Sequence, residues 1–237
     1  DHDLSRLCAV PGTMEQTSAF DRAKLRVRGE RIPTLAEVLH AIDLEIDVEI
    51  KSNRTGRQGD LAAATAKVIR ESGREDQILV SSFDPLLLLQ IHRHLPAIGL
   101  AHIFADDQSL PIRRGWIGTM IGGSIVHPQH TLVTEDAVKR WRTAGRPINV
   151  WTVDDAAELL RLARLGVDGV FANDPAHARA VAGERVDVGV DDEVGPLVEQ
   201  RHRRVRRHRG ECGAARPEDQ QPDRRGATDD ENARGEE

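Results

Sequence analysis

Asp47, Glu49 and Lys51 alternate with Ile46, Val48 and Ile50. A period of two belongs to a β-strand, so the apolar side chains share one face and the ionisable ones the other. The carboxylate of Glu49 has the chemistry of a metal ligand, and the ammonium of Lys51 that of a partner for an anion. A strand buried on both faces cannot carry three unpaired charges, because burying a charge costs free energy unless it is paired, hydrogen-bonded or metal-bound. Two readings follow. The strand is an edge with one solvated face, or it lines the mouth of a barrel with Glu49 and Lys51 at a site.

The elements around it favour a barrel. A capped helix is expected from Thr34, with Glu37 three residues on as in a capping box and Leu35, Val38, Leu39 and Ile42 as its apolar stripe. After the strand at 46–51 comes an alanine-rich helix over 61–71. Strands are predicted at 77–83, 98–104, 124–126, 147–153 and 168–172, with helices between most of them. Pro85 opens one helix, Thr134 caps another and Asp154 a third. Residues 20–27 are read as a short helix and the rest of 1–31 as irregular. About six strand–helix units in succession imply right-handed crossovers and a parallel sheet. Gly-x-Gly-x-x-Gly is not found after any strand and no Walker loop occurs, which argues against the nucleotide-binding version of such a sheet. Polar residues recur at strand C-terminal ends: Glu49 and Lys51, Ser81 and Ser82, His127, Trp151, Asn173. That is where a (β/α)₈ TIM barrel keeps its functional groups. The fold expected is therefore an α/β TIM barrel, incomplete, with about six of its eight units.

Composition narrows the function. The formal net charge is −6 and gives no reason to expect nucleic-acid binding. No apolar run approaches the roughly 20 residues of a transmembrane helix, and a cytoplasmic location is the expectation. Cys8 and Cys212 are far apart and make neither a disulfide framework nor a zinc site. Residues 1–182 form the expected barrel domain. From 183 to 237 large aliphatics nearly vanish, and a disordered polar tail is expected. Arg201 to Arg209 is read as solvated tail rather than a nucleic-acid patch.

Other candidates carry two readings each. His127, before Pro128 at a strand end, is a substrate contact or a hydrogen-bonded structural histidine. Ser82 can hydrogen-bond inside the mouth, but it lacks the oriented base a nucleophile needs. Trp116 is a lid or a wall residue. Trp141, Asp168 and His102 are read as packing, turn and buried structural residues.

Several motifs together resemble one family. They are Ile32-Pro33-Thr34-Leu35-Ala36-Glu37-Val38-Leu39, Val48-Glu49-Ile50-Lys51, Ser81-Ser82-Phe83-Asp84, Val150-Trp151-Thr152-Val153-Asp154, and Gly166-Val167-Asp168-Gly169-Val170 with Asn173-Asp174-Pro175. In this order they resemble the glycerophosphodiester phosphodiesterases. The resemblance implies a TIM barrel and hydrolysis of a small-molecule glycerophosphodiester to glycerol 3-phosphate and an alcohol. It implies a divalent cation, Mg²⁺ or Ca²⁺, with Glu49 as a ligand. Lys51 becomes a catalytic cation on the phosphate side. Trp151 is implied at the pocket wall, and Ser82 and His127 join it as substrate-binding candidates.

The family also carries a His-Arg pair, a Glu-x-Asp pair and a second histidine. In register with Leu4-Ser5-Arg6, that histidine falls one residue before Asp1 and the pairs fall earlier. The chain is therefore expected to be an N-terminally truncated member with little activity of its own. The alternatives are a non-catalytic barrel remnant acting as an interaction module, and another phosphate-handling barrel resembling phosphatidylinositol-specific phospholipase C.

Overall fold

The computed structural model describes residues 4–14, 16–52, 58–109 and 125–183. The tail from 184 on, Trp116 and Cys212 lie outside them. Chain entry is built from short pieces: α1 (Ser5–Cys8), α2 (Ala19–Arg22) and a hairpin of β1 (Arg26–Val27) and β2 (Glu30–Arg31). The helix expected over 20–27 thus stops at Arg22. Arg28 and Gly29 both take positive φ (53° and 89°), the two-residue turn that suits a hairpin, and Val27 pairs with Glu30 across it.

Helix α3 (Leu35–Ala41) starts at the expected capping box. The Thr34 side chain accepts from the Glu37 amide, and the Glu37 carboxylate accepts from the Thr34 amide. The parallel strands follow: β3 (Ile46–Glu49), β4 (Ile78–Ser82), β5 (Gly99–Phe104), β6 (Ile125–Pro128), β7 (Asn149–Val150) and β8 (Gly169–Val170). The first four form one sheet in chain order and the last two pair with each other. Bridges Val126–Ile148 and Gln129–Trp151 carry the parallel order from β6 to β7. Six strands in sequence order are what the repeated units predicted. Among the described residues the series does not close on itself.

Helices α4 (Gln58–Ser72), α5 (Pro85–His94), α6 (Glu135–Thr143), α7 (Ala156–Arg164) and α8 (Pro175–Gly183) run back along the outside. Pro85 sits in the first turn of α5, where its missing N–H costs nothing, and Asp84 accepts from the Leu86 and Leu87 amides. Thr134 caps α6 as expected. The cap of α7 is Asp155, not Asp154: Asp155 accepts from the Glu158 amide. Asp154 instead holds Asn173, accepting from its amide and its carboxamide. The carboxylate one residue later reaches the first turn; the earlier one is turned toward the end of β8.

Register decides the two faces of the sheet. Ile46–Ile78, Val48–Val80–Leu100 and Ser82–His102–Val126 are neighbours on the helix side. There Leu39, Ala62, Ala66, Ile69, Leu87, Leu88 and Ile91 pack over β3, β4 and the start of β5. A second cluster, with Phe104, Trp141, Ile148, Val150 and Leu162, packs over β6 and β7. His102, fully buried, lies between Leu100 and Phe104 where the clusters meet, which agrees with its reading as a structural residue. Asp47, Glu49, Ser81, Ala101, Ile125, His127 and Asn149 alternate with these residues and occupy the inner face.

Candidate active site

Alternation along β3 puts Asp47 and Glu49 inside, and Lys51 follows two residues beyond Glu49. The Lys51 ammonium lies 3.8 Å from a Glu49 carboxylate oxygen, both side chains being nearly half exposed. The pair sits at the C-terminal end of the strand, as the barrel reading expected. Its partial exposure leaves both side chains open to solute.

Deeper on the same face the setting is dry. Asp47 Oδ2 lies 3.6 Å from Nδ1 of His127, a residue only 1% exposed. This contact crosses from β3 to β6, three strand spacings apart. A flat sheet would separate those strands by roughly 14 Å. Two short side chains cannot span that, so the sheet curls around its inner face as an arc of barrel wall. The Ser81 hydroxyl lies near enough to favour the Asp47 carboxylate, although no well-formed hydrogen bond joins them. Burial is the larger effect, and with Glu49 adding like charge it pushes the Asp47 carboxyl up to about 6.

Burial also disfavours charge on the histidines. His127 is pushed down to about 3, chiefly by burial and then by His102. His102 falls to about 4 through burial and the Arg146 charge, against a smaller pull from the Phe83 backbone. Both rings are neutral at pH 7. His127 Nε2 meets Asn149 Nδ2 at 3.2 Å, and its ring stacks edge-on to Phe171 at 4.9 Å. The Trp151 indole N–H donates to the His127 carbonyl at 2.8 Å, and its ring meets Phe83 edge-on at 5.5 Å. Trp151 therefore stands at the rim, pinned by one hydrogen bond.

The inner face brings together Glu49 and Lys51 from one motif, Trp151 from another, and His127 from β6, which belongs to none of the motifs. It does not include Ser82. Ser82 faces the helices, 1% exposed, and its hydroxyl donates to the Ile50 carbonyl at 2.6 Å. The serine beside Glu49 is Ser81. A pair of adjacent serines gives no signal of which one faces inward; the ladder register does. Asp47 and Asn149 lie on this face beside them, and neither is named among the sequence candidates. Alternation along β3 does put Asp47 on the face of Glu49 and Lys51; Asn149 carries no comparable local signal.

The described residues contain no group of three or more His, Cys, Asp or Glu placed to hold a metal ion. Mg²⁺ and Ca²⁺ take about six or more oxygens. Glu49 and Asp47 supply two carboxylates, one of them buried against a histidine. The described residues do not by themselves fit a divalent cation.

A model of the glycerophosphoryl diester phosphodiesterase family matches residues 1–177. The chain belongs to that family. It is 28% identical over 151 residues to a glycerophosphodiester phosphodiesterase of Caldanaerobacter subterraneus subsp. tengcongensis, covering 62% of this chain and 60% of that one. It is 29% identical over 171 residues to glycerophosphodiester phosphodiesterase GDPD4 of Arabidopsis thaliana, covering 69% and 51%. The chain thus spans 51–60% of the length of these relatives. Among solved structures, an Oleispira antarctica phosphodiesterase in complex with the product sn-glycerol-3-phosphate superposes with TM-score 0.70 at 22% identity, covering 77% of each chain. A glycerophosphodiester phosphodiesterase from Parabacteroides distasonis gives 0.66 at 21% identity, covering 78% of this chain and 77% of that one. These likenesses show the fold: the glycerophosphodiester phosphodiesterase TIM barrel, of which the described strands form an arc. No described helix is long and apolar enough to cross a membrane.

Proposed function

We propose that this barrel wall serves hydrolysis of a glycerophosphodiester to glycerol 3-phosphate and an alcohol. The observation that carries the reading is the half-exposed Glu49–Lys51 pair on the inner face at the strand ends. A lysine there is a cation for the phosphate, and it acts by holding and neutralising anionic oxygens. Glu49, 3.8 Å from that ammonium, holds it at the strand end until an anionic oxygen arrives. Trp151 at the rim is the wall for the glycerol moiety. His127 supports this wall from beneath rather than touching substrate, since its ring is buried and already engaged. Ser82 holds the β3–β4 connection together rather than binding substrate. The family relationship and the relative bound to sn-glycerol-3-phosphate support the substrate class. The compartment proposed is the cytoplasm, a setting that suits two cysteines with no pairing pattern.

Binding of sn-glycerol 3-phosphate to the 237-residue chain, followed by calorimetry or chemical-shift titration, tests this reading. Saturable binding that weakens roughly tenfold in Lys51→Met, the loss of one charge-assisted contact, is the expected result. Binding unchanged by Lys51→Met, or no binding at all, would sink it.

A second reading has its own observation. A general acid or base works best with a pKa near the operating pH. The two inward or sheet-buried histidines, His102 and His127, lie far below it. That observation supports the alternative of a barrel wall that binds without turning over. Glycerophosphocholine with Mg²⁺ or Ca²⁺ separates the two: release of choline above background by this chain would establish turnover.

A further inference from the structure

His127 lies on the inner face with one ring nitrogen toward β3 and the other toward β7. Nε2 is 3.2 Å from Nδ2 of Asn149. A carboxamide nitrogen carries only donors, so Nε2 must be the acceptor and the ring hydrogen must sit on Nδ1. Nδ1 is the nitrogen 3.6 Å from Asp47 Oδ2, just outside direct hydrogen-bond range.

Oxygen and nitrogen of a carboxamide exchange places easily, so the direction of the Asn149 amide needs a constraint from its surroundings. Gly169 supplies it. Asn149 and Gly169 are register partners on adjacent strands. A Cβ built on Gly169 would stand 2.8 Å from Asn149 Oδ1. Gly169 is not among the positive-φ glycines, so its backbone does not demand glycine. The close approach of the amide oxygen does. Oxygen against the hydrogens of a glycine is a weakly favourable contact, whereas an NH₂ group placed there would bury donors without a partner. With the oxygen directed at Gly169, the nitrogen faces His127.

We infer that Gly169, Asn149 and His127 form a positioning array across the barrel interior, which fixes His127 as the Nδ1–H tautomer and directs that N–H at the Asp47 carboxylate. Asp47 and Glu49 are like charges two residues apart on one face of β3. An N–H dipole turned toward Asp47 draws its carboxylate inward, away from Glu49. Glu49 is then left to Lys51, 3.8 Å away. Asn149 and His127 touch no substrate in this account; they act through Asp47 on the placement of Glu49. Its relevance to phosphate binding rests on the function proposed above, but the array itself does not.

Long-range ¹H–¹⁵N correlation of the histidine ring nitrogens in the intact chain at neutral pH tests the tautomer directly. The Nδ1–H pattern is expected for His127, and an Nε2–H pattern would overturn the inference. In Asn149→Asp the new carboxylate accepts from Nε2, so the hydrogen is expected to move there. In Gly169→Ala the methyl group displaces the amide oxygen, and a mixture of tautomers is expected. Positioning is read from the Glu49 ¹³Cδ resonance, which should shift in both variants. A Glu49 resonance that stays in place while the tautomer changes would reduce the array to a purely structural one. Neither readout needs a ligand. A chain that binds no glycerol 3-phosphate thus refutes the proposed function and leaves this result standing, and the reverse also holds.

Discussion

At the residue scale, three groups within the sheet, Asp47, His102 and His127, titrate away from their usual ranges, and their effects on stability oppose one another. Asp47 is raised from 3.8 to about 6. The folded state holds its proton more tightly than the unfolded state. Its contribution is therefore fully present below about pH 4 and is lost as pH rises through 6. His127 and His102 are lowered from 6.5 to about 3 and about 4. Between those values and 6.5 the unfolded chain binds the extra proton, so their contribution is present above 6.5 and is lost as pH falls. Two histidines outweigh one aspartate, and stability should rise with pH between 4 and 6.5. Asp47→Asn removes the opposing slope. It should stabilise the chain at pH 8 by about 3 kcal/mol, from a shift of roughly two units worth about 1.4 kcal/mol each, and leave pH 4 nearly unchanged. Urea unfolding at the two pH values measures this. An equal effect at both would show that Asp47 does not carry the shift.

At the element scale, helix starts and turn residues do much of the placing. Asp84 belongs to a motif at the mouth, yet its Oδ1 caps α5 by accepting from Leu86 and Leu87. Asp84→Ala should cost about 1 kcal/mol of stability, as lost caps do. It should not alter affinity for glycerol 3-phosphate, and a denaturation curve alongside a binding titration separates the two. Arg74 is another fastener. Its guanidinium donates to the carbonyls of Leu39, Ile42 and Leu44, so it closes the end of α3 and the approach to β3. Arg74→Ala leaves those carbonyls without their donor and should cost on the order of 2–3 kcal/mol, the range for hydrogen bonds to a charged group. Backbone amide exchange should speed up first over 39–46, ahead of the sheet centre.

At the scale of the whole molecule, two apolar clusters on the helix side hold a curved sheet whose inner face carries Asp47, Glu49, His127 and Asn149. Leu88 is fully buried in the first cluster, whereas Leu86, two residues earlier on the same helix, is 63% exposed. Leu88→Ala should cost 2–5 kcal/mol, the usual range for a buried leucine, and Leu86→Ala under about 0.5 kcal/mol. Comparable losses in thermal unfolding would mean that α5 does not seat as described. His102 lies between the clusters on β5, and its neutrality adds no second charge beside the buried Arg146.

How much of this was legible in the chain differs by feature. Alternation alone placed Glu49 and Lys51 on one face, because side-chain direction along a strand has a period of two. The caps at Thr34 and Thr134 were equally readable, since a cap and its partner lie within one turn. The number and order of the parallel strands followed from repeated units. Local chemistry could not say which of Ser81 and Ser82 faces inward, nor which of Asp154 and Asp155 caps α7. Each choice depends on one residue of register or one turn of backbone. Nor could it bring Asp47, His127, Asn149 and Gly169 together. They lie on four strands separated by tens of residues, and only the curl of the sheet joins them. Residue types along the chain determined which chemistry was available. The tertiary structure decided which groups are buried, which stay charged and which meet, because desolvation and contact depend on neighbours distant in sequence.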